Sequence, residues 1–176
     1  MMLISDASQL KPGGDYPRAI IRNLDLSDIR LDEANFERAI FSGCNLEDAS
    51  MYGVGLKRAF FKGCNLDGVD LSYSDLSRAN MTATTLVQAK LEGASLIGAF
   101  WTDVDAGELE GPQTDFSRAV FRGVDLSNSD LEDAELSRSY LSNVNLSSSN
   151  LKTANFREVR FKGVNLDGAV LYRTSF

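Results

Sequence analysis

Histidine is absent from this 176-residue chain, and cysteine (two), proline (three) and tryptophan (one) are scarce. Without histidine the chain lacks the side chain that most often acts as general base or transition-metal ligand near neutral pH. Two cysteines cannot complete a four-ligand zinc site and are too few for a disulfide framework, which fits a reducing compartment. No apolar run approaches the roughly 18 residues that span a bilayer. The start, "MMLISDASQL", has no basic segment leading into an apolar one, so no signal peptide is expected and a cytoplasmic location is. A basic surplus is missing too: the net charge is −7 and the pI near 4.6. That argues against direct binding to nucleic acid or to an anionic membrane. No phosphate-binding or dinucleotide-binding glycine pattern occurs. The carboxylates of "GELE" (107–110) and "LEDAE" (131–135) and the many serines have no base or second ligand beside them. The expectation is a non-enzyme with no cofactor and no metal.

What is present is a period of five. "CNLDGVDLSYSDLSRANM" (64–81) places Leu66, Leu71, Leu76 and Met81 at equal steps. A strand alternates at two and a helix repeats near 3.6, so neither template produces this spacing. Thirty-three positions lie on this register from Tyr16 to Phe176; only Gly111 is not apolar, and Ala106 is merely small. Chance would supply roughly 14 apolar residues among them. Two places before each centre sits a small or β-branched residue, as at Ala34, Ala39, Cys44, Val54 and Cys64. One place before, Asn or Asp recurs: Asn35, Asn45, Asn65, Asp70, Asp75.

The segments "ANFER" (34–38), "CNLED" (44–48), "CNLDG" (64–68), "ANFRE" (154–158) and "VNLDG" (164–168) resemble the pentapeptide-repeat family, with its loose A(D/N)LXX consensus. The resemblance covers residues 16–176 and implies an all-β fold: a right-handed quadrilateral parallel β-helix, a solenoid of about eight coils of twenty residues. Each side would be one pentapeptide, with the centre and the residue two before it inward and the other three outward. An internal test agrees. "FSGCNL" at 41, "FKGCNL" at 61, "FRGVDL" at 121 and "FKGVNL" at 161 recur at multiples of twenty. At one strand spacing per coil, ~4.8 Å, the rod would be about 40 Å long. The inward stripe then reads as core, and Cys44 and Cys64 as two packed thiols at a separation that does not forbid a disulfide.

Residues 1–14 lack the period. "SDASQLKPGG" is expected to form a helical turn stopped by Pro12-Gly13-Gly14, and 1–14 to cap the first coil. The repeat domain is 15–176. "TDVDAGELEGPQTD" (102–115) interrupts the pattern without shifting its phase, and is expected to be either a distorted half-coil or a small loop, because Pro112 should disturb a ladder. The C-terminal coil would expose core and unpaired backbone, which makes it a candidate homodimer contact.

With the interior structural, function falls to the outward columns, taken at steps of twenty. Arginine forms the most ordered one: Arg18, Arg38, Arg58, Arg78, Arg118 and Arg138. Like charges ~4.8 Å apart repel by about 1 kcal/mol even in water, so counter-charge is expected from Asp75, Asp115 and Glu135. The ladder either covers a corner with its stems or meets an anionic, carboxylate-rich partner. Two residues on runs an apolar column: Ile20, Ile40, Phe60, Phe100, Val120 and Tyr140, with Asn80 and Arg160 as the exceptions. Beyond it sit Arg22, Lys62, Arg122 and Lys162. Such a stripe would expose roughly 500 Å², near the upper limit for a monomer, unless basic stems fold over it. The column Asp25, Asn45, Asn65, Asp105, Asp125, Asn145, Asn165 reads as turn support, and Gly43, Gly63, Gly123 and Gly163 as a corner of positive φ.

The leading expectation is therefore a protein-interaction scaffold whose unidentified protein partner binds the apolar stripe and its basic borders. Two alternatives stand beside it. The resemblance implies a DNA-mimicking modulator of DNA gyrase in a bacterial host, with Glu47, Asp48, Asp67, Asp70, Glu92, Glu132 and Asp133 as the mimic face. The other is a structural unit that assembles end to end.

Overall fold

The structure, a computed structural model, describes residues 2–176; Met1, part of the expected cap, lies outside the described residues. Among the described residues nine short strands form one parallel sheet in sequence order. They are β1 (Leu3–Ile4), β2 (Ile20–Arg22), β3 (Ile40–Ser42), β4 (Phe60–Lys62), β5 (Asn80–Thr82), β6 (Phe100–Thr102), β7 (Val120–Arg122), β8 (Tyr140–Ser142) and β9 (Arg160–Lys162). From β2 on, each strand pairs with the next in a register of twenty residues. Three further ladders of single bridges run parallel to this sheet, for example Asp25↔Asn45, Arg30↔Ser50 and Asn35↔Gly55. Four ladders per twenty residues make a four-sided β-solenoid of about eight coils.

The pentapeptide closes one corner because each of its backbone groups has a separate task. The centre donates to the coil above, as Leu66 N–H does to Thr85 C=O at 2.8 Å. The residue before a centre donates to the coil below, as Asn65 does to Cys44 C=O at 3.0 Å. On three of the four sides the corner is a tight turn in which the residue three after the centre donates to the centre's carbonyl, as Ala34 does to Leu31 at 3.0 Å. Its third residue is left-handed, the pattern of a type II turn. Every residue at steps of five from Gly13 to Arg173 has φ between +49° and +70°. Glycine fills only ten of these places; Arg, Asp, Glu and even Thr153 hold others.

Inside, the centres and the residues two before them form one continuous core. Aromatic centres stack on one another: Phe41 on Phe61 at 4.7 Å and Trp101 on Phe121 at 5.1 Å between ring centroids. Cys44 and Cys64 are free, buried thiols. The Cys44 thiol beside it, together with burial, holds the Cys64 thiol well above the usual thiol range. Several of the serines and threonines at the small inward position cap a carbonyl of the coil below, as from Ser74 to Met51 C=O (2.9 Å) and from Ser149 to Leu126 C=O (2.7 Å). Ser74 and Ser149 thereby satisfy their buried hydroxyls within the fold, whereas the buried Ser139 Oγ has no hydrogen-bond partner among the described residues.

Residues 102–115 correct the sequence reading. They are neither a loop nor a distorted half-coil: Asp105, Glu110 and Asp115 bridge the coils on both sides, as their counterparts do elsewhere. Two compensations explain this. All three prolines, Pro12, Pro17 and Pro112, occupy the second place of a tight turn, closed by Gly14 N–H to Lys11 C=O, Ala19 N–H to Tyr16 C=O and Thr114 N–H to Gly111 C=O. There the backbone N–H faces side chains rather than the ladder, as in Glu132 N–H to Asp130 Oδ1 at 3.2 Å, so proline removes no ladder bond. Gly111 underfills its centre, but Leu109 brings a long side chain where most coils have a small one. A Cβ on Gly111 would stand 2.6 Å from Leu109 Cδ2 and 3.3 Å from Leu131 Cδ2. Gly111→Leu, which restores the consensus, should therefore destabilise the protein by about 1–3 kcal/mol through overpacking. The urea midpoint reads this directly, and a gain in stability would show that the pair is not compensating.

Before the first full coil, β1 pairs with β2 through Leu3↔Ile20 and Ile4↔Ile21. A 3₁₀ turn follows at Ala7–Gln9, closed by a capping box between Asp6 and Gln9, and Ile4 and Leu10 are buried in the core. At the other end Phe156 stacks on both Phe161 and Phe176, and these two are exposed.

Candidate functional site

The expected site residues converge on one side of the rod. Ile20, Ile40, Phe60, Asn80, Phe100, Val120, Tyr140 and Arg160 are register partners at the first position of β2 to β9. Leu3 of β1 extends the column by one coil. Strand alternation turns the next residue (Ile21, Phe41, Phe61) into the core and leaves this column outside. Phe60 and Phe100 remain 52% and 48% exposed, so neighbouring stems do not close over them. Ile40 and Leu3 are also exposed, while Ile20, Val120 and Tyr140 are partly buried. Arg22, Ile40, Phe41, Ser42, Phe60 and Lys62 line a recess of about 480 Å³ on this face.

Arg18, Arg38, Arg58, Arg78, Arg118 and Arg138 all sit at the left-handed turn position before the strands, with φ between 57° and 61°. Their expected counter-ions do not serve them. Asp75, Asp115 and Glu135 instead accept the backbone N–H of Ser77, Ser117 and Ser137, each at 2.9 Å. An acidic residue one place before a centre is engaged by its own turn, two residues on, and is thereby turned away from the arginines. Arg38 meets Glu37 at 3.5 Å, and Arg138 forms a two-pronged pair with Glu158 at 3.1 and 3.3 Å. Among the described residues the other four arginines make no ion pair.

The strained backbone separates structural from recognition roles for the ladder. Removing the side chain of Arg58 relieves a left-handed non-glycine residue and takes one charge out of a column of like charges, between Arg38 and Arg78. Arg58→Gly should raise stability by about 0.5–1 kcal/mol, the left-handed penalty less glycine's extra chain entropy. Thermal unfolding measures this; a loss of more than 1 kcal/mol would mean the stem is a structural cover.

Charge segregation about the rod axis is the feature that column-by-column reading missed. The side carrying the strands and their flanking turns (positions 17 to 23 of each twenty) holds thirteen of the eighteen Lys and Arg but only three of the twenty-five Asp and Glu, a net of +10. The remaining sides hold five cations against twenty-two anions, a net of −17. The signal was available as a sum of charges modulo twenty, hidden under the overall −7.

The acidic sides are organised differently. The Asx column stacks as expected: Asn45 Nδ2 donates to Asp25 Oδ1 at 3.2 Å, Thr85 Oγ1 to Asn65 Oδ1 at 3.1 Å and Asn145 Nδ2 to Asp125 Oδ1 at 3.2 Å. The same side chains cap turn amides, as in Ser127 N–H to Asp125 at 2.8 Å. The hydrogen bond from Ser27 holds the Asp25 carboxyl below its usual range, and that from Lys152 does so for Glu132. Glu47, Asp48 and Asp67 line a shallow recess of about 290 Å³. Asp133 is hydrogen-bonded by the Thr153 hydroxyl. Among the described residues no cluster of three or more His, Cys, Asp or Glu has metal-binding geometry, and no helix is long and apolar enough to cross a membrane.

Comparison with known proteins places this geometry. One family model, "Pentapeptide repeat region", matches residues 34–110, and another, "Pentapeptide repeats (8 copies)", matches 112–138 and 134–172. No curated protein sequence gives a significant match. Among solved structures the chain is similar to HetL, a pentapeptide repeat protein involved in heterocyst differentiation regulation from the cyanobacterium Nostoc sp. strain PCC 7120. The two share 19% identity over 93% of this chain and 87% of that one, with a TM-score of 0.39. It is also similar to QnrB1, a plasmid-mediated fluoroquinolone resistance protein (18% identity, 96% and 86% coverage, TM-score 0.43). A pentapeptide repeat protein from the Arabidopsis thaliana thylakoid lumen shares 34% identity over 60% of this chain and 63% of that one, with a TM-score of 0.31.

Proposed function

Because the chain belongs to the pentapeptide-repeat family, we propose that it is a non-enzymatic, cytoplasmic interaction scaffold that binds a protein partner through the strand-bearing face. The observation that carries this reading is Phe60 and Phe100, half exposed in an ordered column and bordered on both sides by basic residues. A monomer gains nothing from rigid aromatics in water, whereas an interface uses them as low-entropy anchors. Arginines without carboxylate partners add charge that a partner can neutralise.

Affinity capture from the host lysate tests it, with the wild type beside the Phe60→Asp/Phe100→Asp/Tyr140→Asp variant. The expected result is a protein retained by the wild type and lost from a variant whose circular dichroism and urea midpoint are unchanged. Identical captures from both baits would overturn the assignment of the face.

The net charge of −17 on the other sides favours a second reading, a DNA-mimicking modulator of DNA gyrase. A gyrase supercoiling assay decides it: inhibition or protection at stoichiometric protein supports the reading, and no effect at a large excess removes it.

A further inference from the structure

We infer that the partner presents an acidic amphipathic α-helix, laid along the rod axis with its apolar edge on the stripe and its carboxylates between the two basic borders. This deepens the proposed function and rests on it. Three features of the face lead to the helix.

The first is hydrogen bonding. The strands run across the rod, and their amides and carbonyls are spent on the coils above and below, as in Phe60 N–H to Ala39 C=O and Phe100 N–H to Ala79 C=O, both 2.9 Å. The face offers a partner no main-chain partners, so strand addition is excluded here. A segment that docks must satisfy its own backbone, and a helix does so.

The second is the period. Phe60, Phe100 and Tyr140 stand two coils apart, ~9.6 Å, with the smaller Asn80 and Val120 between them. Residues seven apart on a helix rise ~10.5 Å and share one face. Aromatic knobs and intervening gaps thus match the i, i+7 spacing to within about 1 Å per repeat. From Ile20 to Tyr140 the stripe spans six coil steps, ~29 Å, which is the length of about 19 helical residues.

The third is charge and width. The stripe is one side chain wide, with basic columns two residues away on either side, a channel for one helix rather than a plane for a bilayer. Carboxylates flanking the helix's apolar edge would reach Arg58 and Arg78 on one border and Arg22 and Lys62 on the other. The acidic sides of the rod, net −17, oppose the approach of any large anionic surface such as a membrane or a DNA duplex.

The test uses the full chain and a fluorescein-labelled 20-residue peptide with leucine at i, i+3, i+4 and i+7 repeats and glutamate on the flanks. Controls are a scrambled peptide of the same composition, a lysine-for-glutamate version, phosphatidylserine vesicles and a 20-base-pair duplex. Fluorescence anisotropy should show binding of the glutamate peptide that weakens tenfold or more in the Phe60→Asp/Phe100→Asp variant, in the Arg58→Gly/Arg78→Gly variant and at 0.5 M salt. Binding unchanged by the Phe variant overturns the inference and the stripe assignment together. Equal binding of the scrambled peptide overturns only the helix and leaves the face as the interface. Failure of the glutamate peptide, with vesicles or duplex bound instead, overturns the helix in favour of that ligand. Failure of every probe overturns the inference, while the broader reading stands or falls on the lysate capture.

Discussion

Phe121→Ala should cost about 3–5 kcal/mol and split the unfolding of the rod into two transitions. Phe121 is fully buried, with its ring 5.1 Å from that of Trp101 and 5.3 Å from that of Phe116. The cavity left by alanine lies between coils whose spacing is held by four ladders, so the coils cannot collapse into it. The same solenoid geometry limits the damage in space. Each coil touches only its neighbours, so stability is close to a sum of coil terms and nearest-neighbour interfaces. Weakening one interface by a large part of a typical 5–15 kcal/mol total uncouples the coils on either side. Urea unfolding followed by the fluorescence of Trp101, the single tryptophan, and by far-ultraviolet circular dichroism would then give different midpoints. Coincident midpoints with a loss below 1.5 kcal/mol would show a core that relaxes, and a rod that folds as one unit.

The core was legible because a period of five over 33 positions leaves no competing template, and burial follows it from Tyr16 to Phe156. Turn support by Asp25, Asn45 and Asn65 was legible for the same reason: a short polar side chain before a centre can reach the amide two residues on. Three things were not. Pro112 looked disruptive because a general rule about sheets was applied to a position whose N–H lies outside the ladder. Gly111 looked like a defect because its compensation by Leu109 is a contact between two centre-lining positions, invisible to a rule that scores each alone. The counter-charges of the arginine ladder were misassigned because proximity was judged by sequence, while Asp75 and Asp115 were already engaged by their own turns. The candidate site itself was visible as a column; its setting on a face of net +10 became visible only when all four sides were assembled.

Proline substitution should separate the pentapeptide's positions more sharply than any side-chain change. Ser50→Pro is expected to destabilise by at least about 2–3 kcal/mol. Lys57→Pro, seven residues away, should stay within about 0.5 kcal/mol of wild type or gain stability. The Ser50 N–H donates to Ile29 C=O of the coil below at 2.8 Å. A proline ring there removes that bond, leaves the carbonyl without its partner and pushes into the preceding coil. Lys57 occupies the same place in its coil as Pro17 does two coils earlier. It is the second residue of a tight turn closed by Ala59 N–H to Leu56 C=O at 2.9 Å, where the φ of proline is the one required and no ladder bond is lost. The comparison also bears on function. A break in the ladder at Ser50 loosens the stacking of the coils that carry Ile40 and Phe60, so Ser50→Pro should weaken the acidic-helix peptide as well. Lys57→Pro removes one charge beside the stripe and should leave binding within about threefold. If instead Lys57→Pro is the more damaging of the two in urea, the assignment of backbone tasks within the pentapeptide is wrong, and the regularity of residues 102–115 around Pro112 loses its explanation.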